Sequence, residues 1–294
     1  MISTGSPHKP DLIEELDQPL NFGRASFDKG MTILSIIFTL IALVPLFSVL
    51  YYVLVNGFSS LNWTVLTSLP APTGSVGGFG NAIQGSFIIV ALATALSVPF
   101  GVLTGIYLSE YGRDNVLDDF IRFGVNVLSG VPSIIVGVFA YGVLVIPLKT
   151  PSAWAGAFAL AILMLPIIVR TTEEALKLIP WELRLASLGL GANRFQTIAK
   201  VIVPAAFPGI ITGILLGISR AAGETAPLIF TAASSTYWFT RPNLPTASLA
   251  TLIFSYATSA YNDLKSQAWA ASLLLLMLVL TINILARFVF RRRF

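Results

Sequence analysis

Six apolar runs, each long enough to cross a membrane, constrain the fold of this sequence more than any other feature. A helix of about 20 residues spans the hydrocarbon core of a bilayer. Within that core the backbone has to satisfy its own hydrogen bonds, as a helix does. The runs cover residues 31–54, 82–108, 120–148, 153–170, 205–230 and 269–290. We therefore predict an all-α membrane protein with six transmembrane helices.

The composition supports this fold class and removes several kinds of chemistry. Charged residues make up 11% of the chain, against about 25% in soluble domains. There is no cysteine, and the one histidine, His8, lies in the polar N-terminal segment, so we expect no metal site. No segment matches Gly-x-x-x-x-Gly-Lys-Ser/Thr, the phosphate-binding loop of ATPases. We expect no cofactor bound by the chain and no enzymatic activity of its own.

Lysine and arginine are unevenly distributed between the segments that connect the runs. Connecting segments alternate between the two sides of the membrane, and the basic side is the cytoplasm. One side contains Lys9, Arg24, Lys29, Arg113, Arg122, Arg170, Lys177, Arg184, Arg194, Lys200, Arg287, Arg291, Arg292 and Arg293, and the other contains Lys149, Arg241 and Lys265. This predicts a multi-pass protein of the bacterial inner membrane with both termini cytoplasmic. It also accounts for the formal net charge of +4 without a nucleic-acid partner.

These features divide the chain into parts. We expect a cytoplasmic tail of residues 1–30, a first transmembrane helix of residues 31–54 and a core of five transmembrane helices in residues 78–290. Residues 171–204 form a cytoplasmic loop within that core, and residues 291–294 form a basic end. The cluster from Ser129 to Ser133 includes Gly130 and Pro132, and we predict that it interrupts the third span. Broken spans line the central site of many transporters.

Arg220 and Glu224 lie inside the fifth apolar run. A charged side chain at bilayer depth costs about 3 kcal/mol or more, so its presence indicates a function. Residues four apart share a helical face, which brings these two side chains within reach of each other. Pro227 cannot donate a hydrogen bond to the carbonyl of Gly223, and we expect the helix to loosen there. Irregular backbone at this depth is tolerated where it lines a wet cavity, which predicts a polar pathway.

A stripe of small residues runs beside the charged face. Gly209, Gly213 and Gly217 repeat every four residues in the fifth run. Small residues let membrane helices approach closely, so we predict that this stripe packs against another span.

The loop of residues 171–204 is predicted to contain two short helices. Thr171 and Glu174 fit a capping box that starts a helix ending at Leu178. Pro180 suits a first helical position of a second helix, which Gly191 would end. On this second helix one face carries Leu183, Ala186, Ser187 and Leu190. Such a helix either lies on the lipid surface or docks into a groove of a partner.

The segment from Leu183 to Gly191, Leu-Arg-Leu-Ala-Ser-Leu-Gly-Leu-Gly, is followed by Val203-Pro204. It resembles the Glu-Ala-Ala loop of the inner-membrane permeases of ABC transporters. The resemblance implies the type I ABC importer permease fold, with this loop seated as a coupling helix in a cleft of an ATP-hydrolysing subunit. Leu185, Ala186 and Ser187 would occupy the Glu-Ala-Ala positions. Leu185 replaces the usual Glu, so that residue's polar contact is not expected here.

Three further segments, residues 128–137, 163–175 and 220–228, are similar to the A-type permease subunits of phosphate ABC importers. The resemblance implies phosphate as the substrate. It also implies a second permease subunit, two ATPase subunits that use ATP and Mg²⁺, and an external phosphate-binding protein. Permeases for sulfate or molybdate share the architecture and remain an alternative. A secondary anion transporter is a further alternative, although such proteins usually show an internal repeat.

The candidate pathway residues suit an oxyanion. The guanidinium of Arg220 offers paired donors and does not deprotonate, and Glu224 would neutralise it when no anion is bound. Thr225 beside them and Arg170 at the end of the fourth span complete the predicted pathway. In the alternative interpretation, Arg220 and Glu224 form a structural ion pair, and Arg170 anchors the span at the cytoplasmic surface.

Overall fold

The computed structural model describes residues 22–72, 74, 77–112 and 115–291. Those residues contain helices and connecting segments but no strand. The chain divides into two compact units, Met1–Tyr52 and Val53–Phe294. Of the predicted tail and basic end, residues 1–21 and 292–294 lie outside the described part, as does Arg113.

The first helix, α1 (Phe22–Ser60), contains the predicted first span and extends beyond it at both ends. Its most apolar window is not buried at all within the chain. Most of the described apolar side chains of the first unit, among them Ile36, Phe38 and Leu40, are exposed. An apolar helix without a buried face is a membrane span rather than a helix of a soluble core.

The second unit contains twelve described helices. They are accompanied by three π-helical turns: Tyr107–Tyr111 extends one helix at its C-terminal end, and Tyr141–Val145 and Ile198–Ile202 each join two helices. The helices are α2 (Trp63–Thr67), α3 (Gly80–Ile106), α4 (Val116–Gly130), α5 (Ser133–Ala140), α6 (Ile146–Leu148), α7 (Ala153–Lys177), α8 (Trp181–Gly189), α9 (Arg194–Thr197), α10 (Val203–Gly223), α11 (Ala226–Thr231), α12 (Leu249–Ala257) and α13 (Asn262–Arg291).

Among the described residues, five continuous helical segments are long and apolar enough to cross a membrane. They are Ser26–Ser60, Gly80–Tyr111, Ala153–Lys177, Arg194–Gly223 and Asn262–Leu285. A sixth span results if the segments Val116–Gly130 and Ser133–Leu148 are taken together, with a bend of 107° between them. The prediction of an all-helical membrane protein is therefore confirmed.

The third span is interrupted where the sequence predicts. Helix α4 ends at Gly130, and Val131 has an extended backbone with φ −72° and ψ 128°. Pro132 disfavours the helical conformation of the residue before it and cannot donate a backbone hydrogen bond. Helix α5 then begins at Ser133, so the break separates two helical halves.

The centre of the second unit is α7, whose apolar window is 67% buried. Helix α3 packs against it through glycines: a methyl group on Gly101 would lie 2.8 Å from Ile168 Cγ2, and one on Gly105 would lie 2.7 Å from Thr172 Cβ. Both distances are too short for a real side chain, so only glycine permits this approach. Small residues on α3 recur every four positions from Gly85 to Gly105, interrupted only by Ile89.

Helix α10 packs against α7 from another side through the predicted glycine stripe. A methyl group on Gly209 would lie 2.6 Å from Ala175 Cβ, and one on Gly213 would lie 2.5 Å from Thr171 Cβ. At Gly217 the spacing relaxes to 3.5 Å from Ile168 Cγ1. The structure therefore places all three glycines between α10 and α7.

The predicted helix start at Thr171 is wrong. Helix α7 runs without interruption to Lys177, so the loop begins seven residues later than the predicted residue 171. The Thr171 hydroxyl donates to the carbonyl of Ile167 at 2.8 Å. A threonine in mid-helix can bond back to the preceding turn in this way, and it then does not cap a new helix.

The fifth span also differs from the continuous helix predicted for residues 205–230. It begins as early as α9 and the following π-helical turn, and α10 ends at Gly223. Glu224 is extended with ψ 125°, and α11 starts at Ala226 with Pro227 in its first turn. Proline is tolerated there because the first N–H groups of a helix have no partner within it. The loosening expected at Pro227 is thus a complete break.

We expect Gly213→Val to destabilise the second unit. The new side chain would collide with Thr171, and overpacking of this kind costs about 1–3 kcal/mol. The thermal unfolding midpoint of the purified protein in detergent measures the effect. Gly124→Val is the matched control, because a methyl group on Gly124 of α4 meets no other described atom within 4 Å. Equal midpoints for both variants would contradict the close packing of α10 on α7.

Candidate functional site

The candidate pathway centres on the ion pair at the end of α10. Arg220 Nε lies 3.3 Å from Glu224 Oε1. The Arg220 side chain is 51% exposed and that of Glu224 is 17% exposed. The predicted pair therefore forms, even though Glu224 is the first residue beyond the helix. The guanidinium of Arg220 lies on the surface of the isolated chain and retains free donor groups.

The pair lies level with the middle of α7, one of the candidate membrane spans. The neighbouring residue Ala221 belongs to the same buried cluster as Leu160 and Met164, and these two residues lie close to the midpoint of α7. A half-exposed guanidinium at this depth is costly if it faces lipid tails. The exposed face of α10 at Arg220 is therefore suited to a polar cavity or to a second protein.

The two broken spans meet beside this pair. A methyl group on Gly137 of α5 would lie 2.6 Å from Pro227 Cα at the start of α11, so the two half-helices are in backbone contact. The Thr225 hydroxyl donates to the carbonyl of Ala250 in α12 at 3.4 Å. This hydrogen bond connects the segment between α10 and α11 to α12, and Thr225 makes no hydrogen bond to the Arg220–Glu224 pair.

Arg170 lies two turns inside α7, since α7 continues to Lys177, and this corrects its predicted position at the end of the fourth span. Six residues separate it from Met164, so it lies about 9 Å further along the helix axis. Its Nη2 donates to Asn126 Oδ1 of α4 at 2.5 Å. The structure thus brings Arg170 to an amide on the broken third span, and does not bring it to Arg220.

A second group of charges follows Arg170 toward α8. Arg122 Nη1 and Lys177 Nζ lie 2.5 and 2.6 Å from the same Glu173 Oε1. With Arg170 and Asn126 they line a cavity of about 270 Å³ between α4 and α7. The sequence did not indicate this cluster, because Arg122 and Glu173 are 51 residues apart.

The order of these groups along α7 suggests what they can do chemically. Three guanidinium groups, those of Arg220, Arg170 and Arg122, occur in turn between the middle of the span and the α8 end. Arginine binds oxyanions with planar paired donors. Glu224 contacts Arg220 and Glu173 contacts Arg122, whereas Arg170 contacts the neutral amide of Asn126. The arrangement suits weak, successive contacts with a small anion.

The predicted coupling residues on α8 do not share one face. Leu183, Ala186 and Leu190 are exposed, and Leu190 is 90% exposed. Ser187 is buried and shares a hydrogen bond of 2.9 Å with Thr197. The exposed face also includes Leu185, at the position of the usual Glu. Ser187 therefore fastens α8 to α9, and the other three remain available to a partner.

Gly191 ends α8 as the sequence predicts. Its φ is +88°, a conformation that glycine adopts without the strain that a Cβ would add. The backbone N–H of Ala192 then reaches the carbonyl of Ser187 at 3.2 Å, which closes the last turn. Helix α9 begins three residues later, at Arg194.

The structure also contains an ion pair that the sequence did not indicate. Arg184 of α8 is buried and bonded to Glu110 at the end of α3. Glu110 is 74 residues earlier in the chain. No local pattern relates two positions so far apart.

Comparison with known proteins assigns the chain to a family. The model of the family "Binding-protein-dependent transport system inner membrane component" matches residues 97–294. This chain belongs to that family. The match covers all the candidate residues of this permease, from the break in the third span to the end of α13.

Sequence relatives of this permease are similar over almost their whole length. The phosphate transport system permease protein PstA of Yersinia pestis is 41% identical over 262 residues, 89% of each chain. PstA of Haemophilus influenzae is 41% identical over 273 residues, 92% of this permease and 96% of the relative. PstA 1 of Mycobacterium tuberculosis H37Rv is 37% identical over 298 residues and 96% of each chain. Within its family, this permease stands with the PstA proteins.

Solved structures of other ABC transporters share the fold. A chain of a bacterial alginate ABC transporter superposes with a TM-score of 0.65 at 15% identity, covering 92% of this permease and 96% of that chain. A chain of the MetNI methionine ABC transporter gives 0.56 at 23% identity, covering 72% and 92%. The predicted permease fold of type I importers is thus confirmed.

Proposed function

We propose that this permease is one of two membrane subunits of an ATP-driven phosphate importer and forms half of the phosphate pathway. The observation that carries the proposal is the Arg220–Glu224 pair, whose half-exposed guanidinium lies level with the middle of α7, where two broken spans meet. Phosphate is proposed as the substrate because the three relatives named above are phosphate transport system permeases that match 89% or more of this chain.

Arg220 would guide phosphate and Glu224 would limit how tightly it is held. Phosphate carries one to two negative charges near neutral pH, and its dehydration in hydrocarbon is costly. The free guanidinium donors can bind two phosphate oxygens at once. Glu224 competes for the same guanidinium, so the anion is released rather than trapped. Thr225 supports the site by fastening the break to α12.

The cavity at Arg170 provides the next contact on the route to the cytoplasm. Phosphate leaving Arg220 would meet Arg170 and Asn126, and then the cluster of Arg122 and Lys177. In this proposal the α8 end, with both termini, is cytoplasmic, as the distribution of basic residues predicts. The transporter to which this subunit belongs would lie in the bacterial inner membrane.

The remaining functions are assigned to partner proteins. A second permease would cover the exposed face around Arg220, and an external phosphate-binding protein would deliver the substrate. Two ATPase subunits would hydrolyse ATP with Mg²⁺, since this permease carries no phosphate-binding loop of the ATPase kind. The chain itself would bind no cofactor and act as a transporter subunit rather than an enzyme.

Helix α8 is proposed to seat on the ATPase. Leu183, Ala186 and Leu190, together with Leu185, present an apolar surface outside the membrane. Apolar helical faces of this kind dock into grooves of partner proteins. Ser187 and Gly191 set the position and the end of that helix, by the bond to Thr197 and by the positive φ.

Uptake of labelled phosphate tests the proposal. Cells that lack their own A-type permease are complemented with this chain, and co-purification of the ATPase establishes that the complex assembles. We expect phosphate uptake to be restored and labelled sulfate uptake to stay at background. Sulfate or molybdate uptake instead of phosphate would overturn the substrate assignment. Phosphate uptake by the chain without any ATPase would favour a secondary anion transporter.

A further inference from the structure

We propose that the buried ion pair of Glu110 and Arg184 mechanically couples α8 to α3, so that a movement of α8 displaces the end of α3. Both would be positioning residues of the transport cycle, since neither touches substrate. The inference rests on the proposed function, because it requires α8 to seat on an ATPase. It adds a second route of transmission, from α8 directly to the second span, beside the covalent continuation of the chain into α9 and α10.

The pair has the geometry of a strong contact. Arg184 Nη2 lies 2.5 Å from Glu110 Oε1, and Arg184 Nε lies 3.3 Å from Glu110 Oε2. Two parallel bonds of this kind fix both distance and direction. The side chains are only 10% and 7% exposed, so water and salt screen the pair little. Separating them would leave two buried charges without partners, which is strongly unfavourable.

Arg184 uses its remaining donors on the end of α7. Nη1 donates to the carbonyl of Ile179 at 2.8 Å, and Nη2 donates to that of Leu176 at 3.1 Å. Carbonyls at a helix C-terminus have no partner within the helix. One side chain of α8 therefore holds the ends of α3 and α7 together.

A second arginine holds the same end of α3. Arg194 of α9 donates to the backbone carbonyl of Glu110, and its guanidinium lies 4.6 Å from the centre of the Tyr111 ring. Cation–π contacts at this distance are attractive. Glu110 and Tyr111 are thus contacted by two arginines, Arg184 from α8 and Arg194 from α9.

Packing contributes less than these polar contacts to the position of α8. A cavity of about 740 Å³ lies between α8 and the neighbouring elements, and Glu110, Arg184 and Arg194 belong to its lining together with Ser109, Lys177 and Trp181. Apolar contact across such a space is weak, because dispersion decays within about an ångström of a gap. Movement of α8 would therefore be transmitted to α3 mainly by the arginine contacts.

The part of α3 that receives this pull is irregular. Glu110 lies within the π-helical turn Tyr107–Tyr111, at the end of an otherwise regular helix. π-Helical turns are rare and occur frequently at functional sites. Further along, Gly101 and Gly105 fasten α3 to α7. A pull on Glu110 would thus act first on the π-helical turn, while the glycine contact holds the rest of the helix.

The test measures coupling in the complete transporter. Glu110→Gln and Arg184→Lys complexes are reconstituted in vesicles with both permeases, the ATPase and the binding protein. We expect phosphate transported per ATP hydrolysed to fall by about 5- to 150-fold, the range of typical coupling energies. The matched control is Asp119→Asn, which removes an exposed carboxylate of α4 that has no ion pair within the described part of the chain.

A covalent cross-link between positions 110 and 184 should restore coupling. The chain has no cysteine, so a Glu110→Cys, Arg184→Cys double variant can be bridged specifically with a short bifunctional thiol reagent. We expect the bridge to raise phosphate transported per ATP above that of the untreated double variant. A reagent that bridges the two thiols without raising the ratio would contradict the proposal.

Two other results would also overturn the inference. One is an unchanged ratio in both single variants. The other is loss of the ATPase from the variant complexes, which would make the pair an element of assembly. Failure of the proposed function is recognised separately, because the wild-type complex would then take up no phosphate. Thiol labelling of a Leu103→Cys variant of α3, with and without ATP, still reports in that case whether α3 moves and whether Glu110→Gln prevents it.

Discussion

Arg220→Gln is expected to lower phosphate uptake by about 10- to 150-fold, because hydrogen bonds to a charged group contribute about 1.5–3 kcal/mol. Glutamine is too short to reach both oxygens of a passing anion and carries no charge. Uptake is expressed per amount of assembled complex, because the exposed face around Arg220 is the one that the second permease is proposed to cover. Initial rates of labelled phosphate uptake and co-purification of the ATPase measure the two quantities.

Arg220→Lys separates guidance of the substrate from a structural ion pair. Lysine retains the charge and can pair with Glu224, but it lacks the planar donors of a guanidinium. If Arg220 guides phosphate, uptake by this variant should be reduced nearly as far as in Arg220→Gln. Wild-type uptake by Arg220→Lys would show that only the ion pair matters.

The matched control for Arg220→Gln is Arg24→Gln. Arg24 is an exposed residue near the start of α1, and its replacement changes the net charge equally. Uptake by this variant should equal that of the wild type. Loss of uptake in Arg24→Gln as well as in Arg220→Gln would mean that net charge or expression level is responsible, and the assignment of Arg220 to the pathway would be wrong.

Gly137→Val is expected to abolish transport and to lower stability as well. The new side chain would overlap the backbone of Pro227, 2.6 Å from the nearest atom, and a backbone atom cannot rotate aside as a side chain can. Overpacking costs about 1–3 kcal/mol or more, and here relief requires the half-helices α5 and α11 to separate. Since α11 follows Glu224 directly, separation would displace the Arg220–Glu224 pair.

Uptake and the thermal unfolding midpoint of the purified chain measure the two effects of Gly137→Val. Gly142→Val is the matched control, on the π-helical turn that follows α5. A methyl group on Gly142 meets no other described atom within 4 Å, so both quantities should stay close to wild type. Full uptake by Gly137→Val would mean that contact of the two broken spans is not required for transport.

The sequence predicts the spans well because hydropathy depends only on local composition. The break at Pro132 and the end of α8 at Gly191 were predictable for the same reason, since proline and glycine act on their own neighbours. The error at Thr171 has a local cause too. A hydroxyl can cap a helix start or bond back to the preceding turn, and the choice depends on whether the helix continues.

The contacts that organise the site are beyond the reach of local patterns. Glu110 with Arg184 and Arg122 with Glu173 join positions 74 and 51 residues apart. The buried state of Ser187 depends on Thr197, which lies beyond the turn after α8. Only the small residues of α3 left a usable signal, because Ala93, Ser97, Gly101 and Gly105 recur at the spacing that identified the glycines of α10.

The short sequence separation of Arg220 and Glu224 has a consequence for biogenesis. Helices enter the membrane one after another, before their neighbours in the assembled complex are present, and an isolated charge strongly opposes insertion. Because Glu224 is four residues from Arg220, the charges can be balanced inside a single nascent segment. The fifth span can thus insert before a partner subunit binds, with the charge of Arg220 already balanced by Glu224.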